Sequence, residues 1–339
     1  MTSSTVKLTE WTKCGGCAAK WGGAPLSDLL RGLDPVAGED LLVGLAPFDD
    51  AAVYRLSPDL ALVSTTDFFP PLVDDPSDFG AIAAANACSD IFAMGGRVVL
   101  ALNVAAFPEG FPDEAIAAIL EAAAAKVAEA GGTVAGGHTI SAAEPIFGLA
   151  VQGLVDPSRV WTKSGVEPGD RLVLSKPVGS GIVLAGGSPD DRSAAIETMC
   201  TLNSAAADTL HEVGEVHAVT DVTGFGLAGH SWEMAERSGM IIRLHSTSMP
   251  LYPGAIEAAR RGTRTGGDAR NRTYLAGHFT SSAAPELEAL AIDPQTSGGL
   301  LAAVPEPVAA RLVAAGWWEV GDAVPGDAAG LRGPGVELR

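Results

Sequence analysis

The sequence has few cations and no long apolar run, and each shortage excludes a class of protein. Its 339 residues include 22 Lys and Arg against 41 Asp and Glu, which gives a formal net charge of −19. Such a surface repels phosphate backbones, so no nucleic-acid partner is expected. No segment approaches the roughly 18 apolar residues of a membrane span, and the N-terminal residues lack the apolar core of a secretory signal, so no membrane association is expected.

Cysteines and nucleotide-binding motifs are also scarce. Four cysteines are too few for a disulfide scaffold in a chain of this length, and they favour a reducing, cytoplasmic location. A Walker A pattern is absent. One G-x-G-x-x-G occurs at residues 224–229, but the next predicted strand ends at Leu244-His245-Ser246 without the acidic residue that a dinucleotide fold requires. We therefore reject the dinucleotide-binding interpretation.

Apolar strand-like runs alternate with Ala-rich helical stretches, which predicts an α/β or α+β fold. One helix is predicted at residues 77–94 with Ser77 as its N-cap, and another at residues 194–211. The length suggests about two domains, and the turn Asp156-Pro157-Ser158 is the predicted boundary. The predicted units are a mobile arm at 1–24, an N-terminal domain at 25–156 and a C-terminal domain at 157–339.

The predicted arm contains Cys14-Gly15-Gly16-Cys17, followed by Lys20. Two close cysteines are compatible with half of a zinc site, a redox pair or a reactive thiolate. Zinc requires two further ligands, and a redox pair should open a helix after a strand, so both are disfavoured. The ammonium of Lys20 would favour a thiolate and could also bind phosphate. Two thiols without a function remain an equal alternative.

Acidic residues lie at the ends of apolar segments in the first half. Asp49 and Asp50 precede a predicted strand, Asp67 follows another, and Asn86 and Asp90 share one face of the helix at 77–94. A buried carboxylate needs a cation, yet no Lys or Arg occurs between residues 55 and 97. This pattern favours Mg²⁺ bridging substrate phosphates, while N-caps and solvated turns are the alternative.

Three further segments are candidates. Gly136-Gly137-His138 is predicted at the end of a strand, where small residues let the backbone approach an anion or simply form a tight turn. Asp221 lies between a predicted strand and a helix, so it could cap the helix or hold a metal. The polar loop at residues 293–299 has no role that its chemistry alone predicts.

Taken together, these segments resemble the selenophosphate synthetase (selenide, water dikinase) family along nearly the whole chain and in the same order. The matching segments are the arm with Cys17 and Lys20, residues 49–53, 64–69, 86–96, 136–138, 144–149, 220–227 and 293–299. The wider superfamily includes aminoimidazole ribotide synthetase, thiamine-monophosphate kinase and a hydrogenase maturation protein.

The resemblance implies a two-domain aminoimidazole ribotide synthetase-like α/β (α+β) fold. Its N-terminal mixed sheet would form a barrel in a homodimer, and its C-terminal domain would be an α/β sandwich. The implied reaction converts ATP, selenide and water into selenophosphate, AMP and phosphate, with Mg²⁺ as cofactor.

The resemblance also implies roles for individual residues. The catalytic positions are Cys17 and Lys20, and the magnesium ligands are Asp50, Asp90 and Asp221. The ATP-contacting positions are Lys20, Pro47, Phe48, Asp49, Asp67, Asp90, Gly136, Gly137 and His138, and the last three are expected to reach the nucleotide of the partner subunit. Two other functions remain open: another superfamily kinase that releases ADP, or a non-catalytic regulatory homologue.

Overall fold

The computed structural model describes residues 6–12, 15–16, 38–45, 48–326 and 333–339. Within these ranges the chain forms thirteen β-strands in two mixed sheets and ten α-helices, which confirms the predicted α/β (α+β) class. None of the helices in these ranges is both long enough and apolar enough to cross a bilayer.

The first sheet has six strands and comes from the first half of the chain. They are β1 (Leu41–Val43), β2 (Ala52–Ser57), β3 (Leu60–Phe69), β4 (Arg97–Phe107), β5 (Thr133–Ser141) and β6 (Ile146–Val155). Their order is β1-β2-β3-β6-β4-β5, in which β4 and β5 are parallel and the other neighbours antiparallel. One face of this sheet is buried beneath two helices, α1 (Pro76–Ala93) and α2 (Asp113–Glu129).

The second sheet has seven strands and comes from the second half. They are β7 (Arg171–Leu174), β8 (Ala218–Asp221), β9 (Met240–Leu244), β10 (Phe279–Ser281), β11 (Leu300–Val304), β12 (Trp318–Pro325) and β13 (Gly335–Leu338). Their order is β10-β13-β9-β12-β7-β11-β8. Every residue of β8, β11 and β13 is buried, as expected of strands covered on both faces.

The remaining helices accompany the second sheet. They are α3 (Ser180–Gly186), α4 (Pro189–Met199), α5 (Ser204–Val213), α6 (Gly226–Ser238), α7 (Ala255–Arg260), α8 (Asp268–Tyr274), α9 (Pro285–Ile292) and α10 (Glu306–Ala314). One apolar core joins the two halves, since Ile91 of α1 belongs to the same buried cluster as Met199 and Leu300. Helix α1 contacts β3 and β6 of the first sheet and β8 of the second. It therefore carries its polar residues to the junction of the sheets.

The N-cap of α1 differs from the prediction. Asp75, and not Ser77, occupies this position, and its carboxylate accepts hydrogen bonds from the backbone N–H groups of Ser77 and Asp78. Pro76 follows at the first helical position, where its fixed φ suits the helix and its missing N–H costs nothing. The N-cap therefore lies two residues before the predicted one, and the helix begins at Pro76.

The predicted helix at residues 194–211 is wrong, because two helices, α4 and α5, occupy this region. Helix α4 ends at Met199, and α5 begins after its N-cap Asn203, whose side-chain Nδ2 donates to Ser89 Oγ and to Gly298 O at 2.8 Å each. The predicted strand end at Gly136-Gly137 is also wrong, because both glycines lie inside β5. A Cβ on Gly137 would lie 2.4 Å from Asn103 O of the neighbouring strand β4, so this position within β5 requires glycine.

Backbone contact between α1 and α2 generates a stability prediction. A Cβ built on Gly80 of α1 would lie 2.2 Å from the carbonyl oxygen of Ile119 in α2. Gly80→Ala should therefore push the helices apart and lower the free energy of unfolding by about 1–3 kcal/mol, despite the better helix propensity of alanine. Urea denaturation followed by circular dichroism measures this change. Gly266→Ala, whose Cβ would meet nothing within 4 Å, is the control, and equal effects of both variants would contradict the close packing.

Candidate functional site

Three aspartates converge at the junction of the two sheets. One carboxylate oxygen from each of Asp50, Asp90 and Asp221 lies within 4.8 Å of the others. Asp50 lies two residues before β2, Asp90 lies in the last turns of α1, and Asp221 ends β8. They meet because α1 packs against both sheets. Asp221 is 1% exposed, so this negative charge lies largely away from water.

Two threonine hydroxyls orient these carboxylates. Thr65 Oγ1 of β3 donates to Asp90 Oδ2 at 2.5 Å, and Thr220 Oγ1 of β8 donates to Asp50 Oδ1 at 3.1 Å. The second oxygen of Asp50, Oδ2, is buried and has no hydrogen-bond partner among the described residues. A buried carboxylate oxygen in this state is costly. Three neighbouring carboxylates, one of which has a buried oxygen without a hydrogen-bond donor among the described residues, are suitable ligands for a hard divalent cation.

Lys163 changes the charge balance that the sequence suggested. Its Nζ lies 2.7 Å from Asp50 Oδ1 and 3.1 Å from Glu233 Oε2, and all three side chains are less than a tenth exposed. The inference that these acids lack a protein cation was therefore incomplete. The compensating cation is not a neighbour along the chain, because Lys163 lies more than a hundred residues after Asp49 and Asp50.

Glu233 fixes this lysine from the other side. Burial would lower the pKa of Lys163, but the negative charges of Asp50 and Glu233 outweigh it and hold that pKa above its ordinary value. Burial would likewise raise the pKa of Glu233, but Lys163 and a hydrogen bond from His230 Nδ1 hold it below its ordinary value. Lys163 and Glu233 therefore form a buried ion pair beside the three aspartates.

Asp49 is bound to the same segment. Its Oδ2 accepts a hydrogen bond from the backbone N–H of Lys163 at 3.1 Å, and its Oδ1 accepts one from the N–H of Asp50 at 2.9 Å. Burial, together with the adjacent charge of Asp50, raises the pKa of Asp49 to about 6. Asp49 thus links the start of β2 to the chain that precedes β7. Phe48, beside it, is half-buried.

Asn86 connects Asp67 to the second half of the chain. Its Nδ2 donates a short hydrogen bond to Asp67 Oδ2, and its Oδ1 accepts one from the backbone N–H of Ser297 at 2.8 Å. Asn86 and Asp90 therefore both face the acidic site, as their spacing on one helix face predicts. Ser297 has φ 53°, a left-handed conformation that is uncommon for a residue with a side chain.

The loop at residues 293–299 is buried and joins several segments of the chain through hydrogen bonds. Gln295 Oε1 accepts hydrogen bonds from the N–H groups of Gly179 and Ser180. Lys176 Nζ donates to Ser297 O at 3.0 Å, and Asn203 donates to Gly298 O. Burial lowers the pKa of Lys176 to about 7, although nearby Asp221 opposes this. These contacts hold the loop against residues 176–180 and Asn203, so that the N–H of Ser297 lies where it donates to Asn86 of α1.

Part of the predicted arm packs close to this loop. Gly16 N donates to Pro70 O at 2.9 Å, and a Cβ on Gly16 would lie 2.8 Å from Thr296 Oγ1. Leu8 is fully buried. The arm therefore contacts the end of β3 and the loop at residues 293–299 at Gly16. The predicted site residues Cys17, Lys20 and Pro47, and also Cys14, lie outside the described residues.

The segment Gly136-Gly137-His138 does not join the acidic site in this chain. It lies in β5, an edge strand whose residues are mostly exposed, and strands β4 and β6 separate it from β3, which carries Asp67. Within one chain, two strands therefore separate this segment from β3, and its contact with ATP stays a prediction.

Sequence reasoning missed several residues of the site. Lys163, Glu233, Asn203 and Lys176 are buried at or beside it, but none stands in a recognisable motif. A buried charge inside a helix, such as Glu233 in α6, is a weak signal that could have been noticed. The pairing of Lys163 with Asp50 could not have been predicted from the sequence, because only the folded chain brings the two residues together.

Comparison with known proteins identifies the family. The model of the AIR synthase related protein N-terminal domain matches residues 48–155, and that of the corresponding C-terminal domain matches residues 167–332. A selenide, water dikinase of Caldanaerobacter subterraneus is 47% identical over 313 residues, 91% of this chain and 90% of that protein. One of Pelobacter propionicus is 46% identical over 325 residues, 93% of this chain and 92% of that protein.

Solved structures support the fold. AaThiL complexed with AMPPCP and TMP superposes with a TM-score of 0.69 at 19% identity, covering 94% of this chain and 93% of that one. This likeness, with the two matching domain models, confirms the expected two-domain aminoimidazole ribotide synthetase-like fold. Two proteins named selenide, water dikinase match more than nine tenths of this chain at over 45% identity. The chain therefore belongs to the selenide, water dikinase family.

Proposed function

We propose that the protein uses ATP to convert selenide into selenophosphate, with AMP and phosphate as the other products. The observation that carries this proposal is the convergence of Asp50, Asp90 and Asp221 in a chain whose relatives are named selenide, water dikinase. A structural neighbour solved with AMPPCP supports nucleotide use by this fold. A reducing cytoplasm is the proposed location, consistent with the free thiols of Cys88 and Cys200.

The three aspartates would hold Mg²⁺. Their ligand atoms are all carboxylate oxygens, which Mg²⁺ prefers, and no His or Cys belongs to the set. When bound, the ion supplies charge neutralisation for the phosphates of ATP. The hydroxyls of Thr65 and Thr220 keep two of the carboxylates in place, so the ligands need not be reordered when the substrate binds.

The reaction requires alignment more than covalent chemistry by the protein. The bond between the γ-phosphorus and its bridging oxygen breaks while a selenium–phosphorus bond forms, and water then cleaves the remaining ADP to AMP and phosphate. Lys20 is the proposed cation for the transferring phosphoryl group, and the thiolate of Cys17 would orient selenium. The approach of Gly16 to Pro70 and Thr296 supports this, because Cys17 directly follows Gly16.

ATP would lie beside the aspartates. Among the described residues, the proposed contacts of ATP are Phe48, Asp49, Asp67 and Asp90. Pro47 and Lys20, outside the described residues, are proposed as further contacts. The segment Gly136-Gly137-His138 lies too far along the sheet to join them within one chain. We therefore propose that it contacts the nucleotide held by a second copy.

An exposed apolar face supports a homodimer. The face of the first sheet opposite α1 and α2 carries the side chains of Tyr54, Phe68, Leu102 and Ile140, which are 37–55% exposed. Residues that pair across neighbouring strands face the same side of a sheet, and so do residues an even number apart on one strand. Tyr54 pairs with Leu62, which shares a face with Phe68, and Ile140 pairs with Ala106, which shares a face with Leu102. Several large exposed apolar side chains on one face of a sheet are typical of a protein–protein interface. A second copy of the same sheet is the proposed partner.

The products of the reaction test the function. Incubation with ATP, Mg²⁺ and selenide should give selenophosphate, AMP and phosphate in ³¹P NMR spectra, and AMP should require selenide. Cys17→Ser should abolish selenophosphate but leave ATP binding intact, because the thiolate acts on selenium and not on the nucleotide. ADP as the final product would indicate a different kinase, and no turnover would indicate a regulatory homologue.

Removal of one carboxylate tests the metal site. Asp221→Asn should lower kcat at least about a hundredfold. Loss of a residue that only orients a metal ligand lowers activity by about ten- to a hundredfold, and loss of the ligand itself should lower it by no less. It should also weaken binding of Mn²⁺, used as a spectroscopic substitute for Mg²⁺. Asp208→Asn, an exposed acid of α5, is the control. Activity of Asp221→Asn close to that of the unaltered protein would rule out the ligand assignment.

Two charges on the exposed face test the dimer. The double variant Leu102→Asp/Ile140→Asp should behave as a monomer in size-exclusion chromatography with light scattering, because paired carboxylates cannot be buried there without partners. The unaltered protein should show twice the mass of one chain. Val313→Asp changes a similarly exposed apolar residue of α10 and should leave the mass unchanged. A monomeric unaltered protein would contradict the proposed dimer.

A further inference from the structure

The candidate metal site already contains a cation that belongs to the chain. Lys163 Nζ lies 2.7 Å from Asp50 Oδ1, and the two side chains are 6% and 4% exposed. A buried ammonium in contact with one carboxylate of a three-aspartate cluster lowers the net negative charge of that cluster by one. Because water screens these charges little, their interactions are stronger than those of a surface ion pair.

The ammonium of Lys163 is held at a defined place. Glu233 Oε2 lies 3.1 Å from it, and Glu233 is itself bound by His230 Nδ1 at 2.9 Å. At the other end of the residue, the backbone N–H of Lys163 donates to Asp49 Oδ2. Both ends of the lysine are therefore fixed. If its ammonium moved away from Asp50 and Glu233, Glu233 would keep only His230 Nδ1 at 2.9 Å and Arg237 Nη2 at 3.8 Å as partners, and loss of a contact with a buried charge is costly.

The two oxygens of Asp50 face different demands. Oδ1 interacts with Lys163 and Thr220, while the buried Oδ2 has no hydrogen-bond partner among the described residues. A divalent cation bound through Oδ2 would share one carboxylate with the ammonium. Two positive charges on the same carboxylate repel each other, and in a site that excludes water this repulsion weakens cation binding.

We propose that Lys163 is a built-in counter-charge that keeps divalent-cation affinity low until the negative phosphates of a nucleotide enter the site. Cation and nucleotide would then bind together, each raising the affinity for the other, as a coupling free energy requires. This inference rests on the proposed metal site. It adds that Lys163, which lies between the two matched domains at 48–155 and 167–332, helps to set how strongly the aspartates attract a divalent cation.

Mn²⁺ titration without nucleotide, followed by electron paramagnetic resonance, tests the proposal. Lys163→Met removes the charge but keeps much of the side-chain volume, and it should bind Mn²⁺ about tenfold tighter or more. Glu233→Gln should bind Mn²⁺ more weakly, and Lys163→Met/Glu233→Gln should return close to the unaltered protein. Lys126→Met, which removes a lysine paired with Glu129 on the surface of α2, should have no effect.

A second titration with a non-hydrolysable ATP analogue measures the coupling. The analogue should raise Mn²⁺ affinity more in the unaltered protein than in Lys163→Met, because only the former has a repulsion to overcome. If Lys163→Met fails to fold, as judged by its melting curve, the same comparison is made between Glu233→Gln and the double variant, which restores the local charge balance.

The possible results separate the two ideas. Unchanged or weaker Mn²⁺ binding after loss of Lys163 would overturn the counter-charge, since the lysine would then only position Asp50. If Asp221→Asn abolishes Mn²⁺ binding in the same experiment, the metal site stands regardless of Lys163. If neither Asp221→Asn nor Lys163→Met alters Mn²⁺ binding, both the metal site and the counter-charge are wrong.

Discussion

The burial of several carboxylates at one junction is the constraint on which the rest of the structure depends. Asp50, Asp90 and Asp221 crowd their oxygens within 4.8 Å, and such an arrangement is unstable unless positive charge and hydrogen-bond donors surround it. The fold provides donors from Thr65 and Thr220 and a cation from Lys163. The remaining demand, at Asp50 Oδ2, is what a metal ion would meet.

Helix α1 is the element that makes this junction possible. Its small apolar residues let it pack tightly against α2 and against strands of both sheets, while Asn86 and Asp90 on one face project toward the acids. The loop at residues 293–299 secures that face from the other side, through Ser297, Lys176 and Asn203. Catalytic geometry in this protein therefore depends on contacts between halves of the chain, so the two sheets must assemble before the site exists.

Much of the fold was readable from local patterns. The helix predicted at residues 77–94 lies at Pro76–Ala93, because a capping residue before a long Ala-rich segment and glycines after it are typical of a helix. Errors arose where tertiary contacts override local preference. Asn203 breaks a helical pattern because its side chain bonds to Ser89 and Gly298, and short strands such as Phe279–Ser281 have too few residues to show any period.

The sequence by itself determined the type of chemistry: acidic residues at the ends of apolar segments, a cysteine and a lysine in a glycine-rich arm, and motifs of one family. Each of these is a property of neighbours along the chain. The tertiary structure alone decided which charges meet. Lys163 compensates Asp50, and Asn86 joins Asp67 to Ser297, because electrostatic and hydrogen-bond energies depend on distance in space, which residue spacing does not encode.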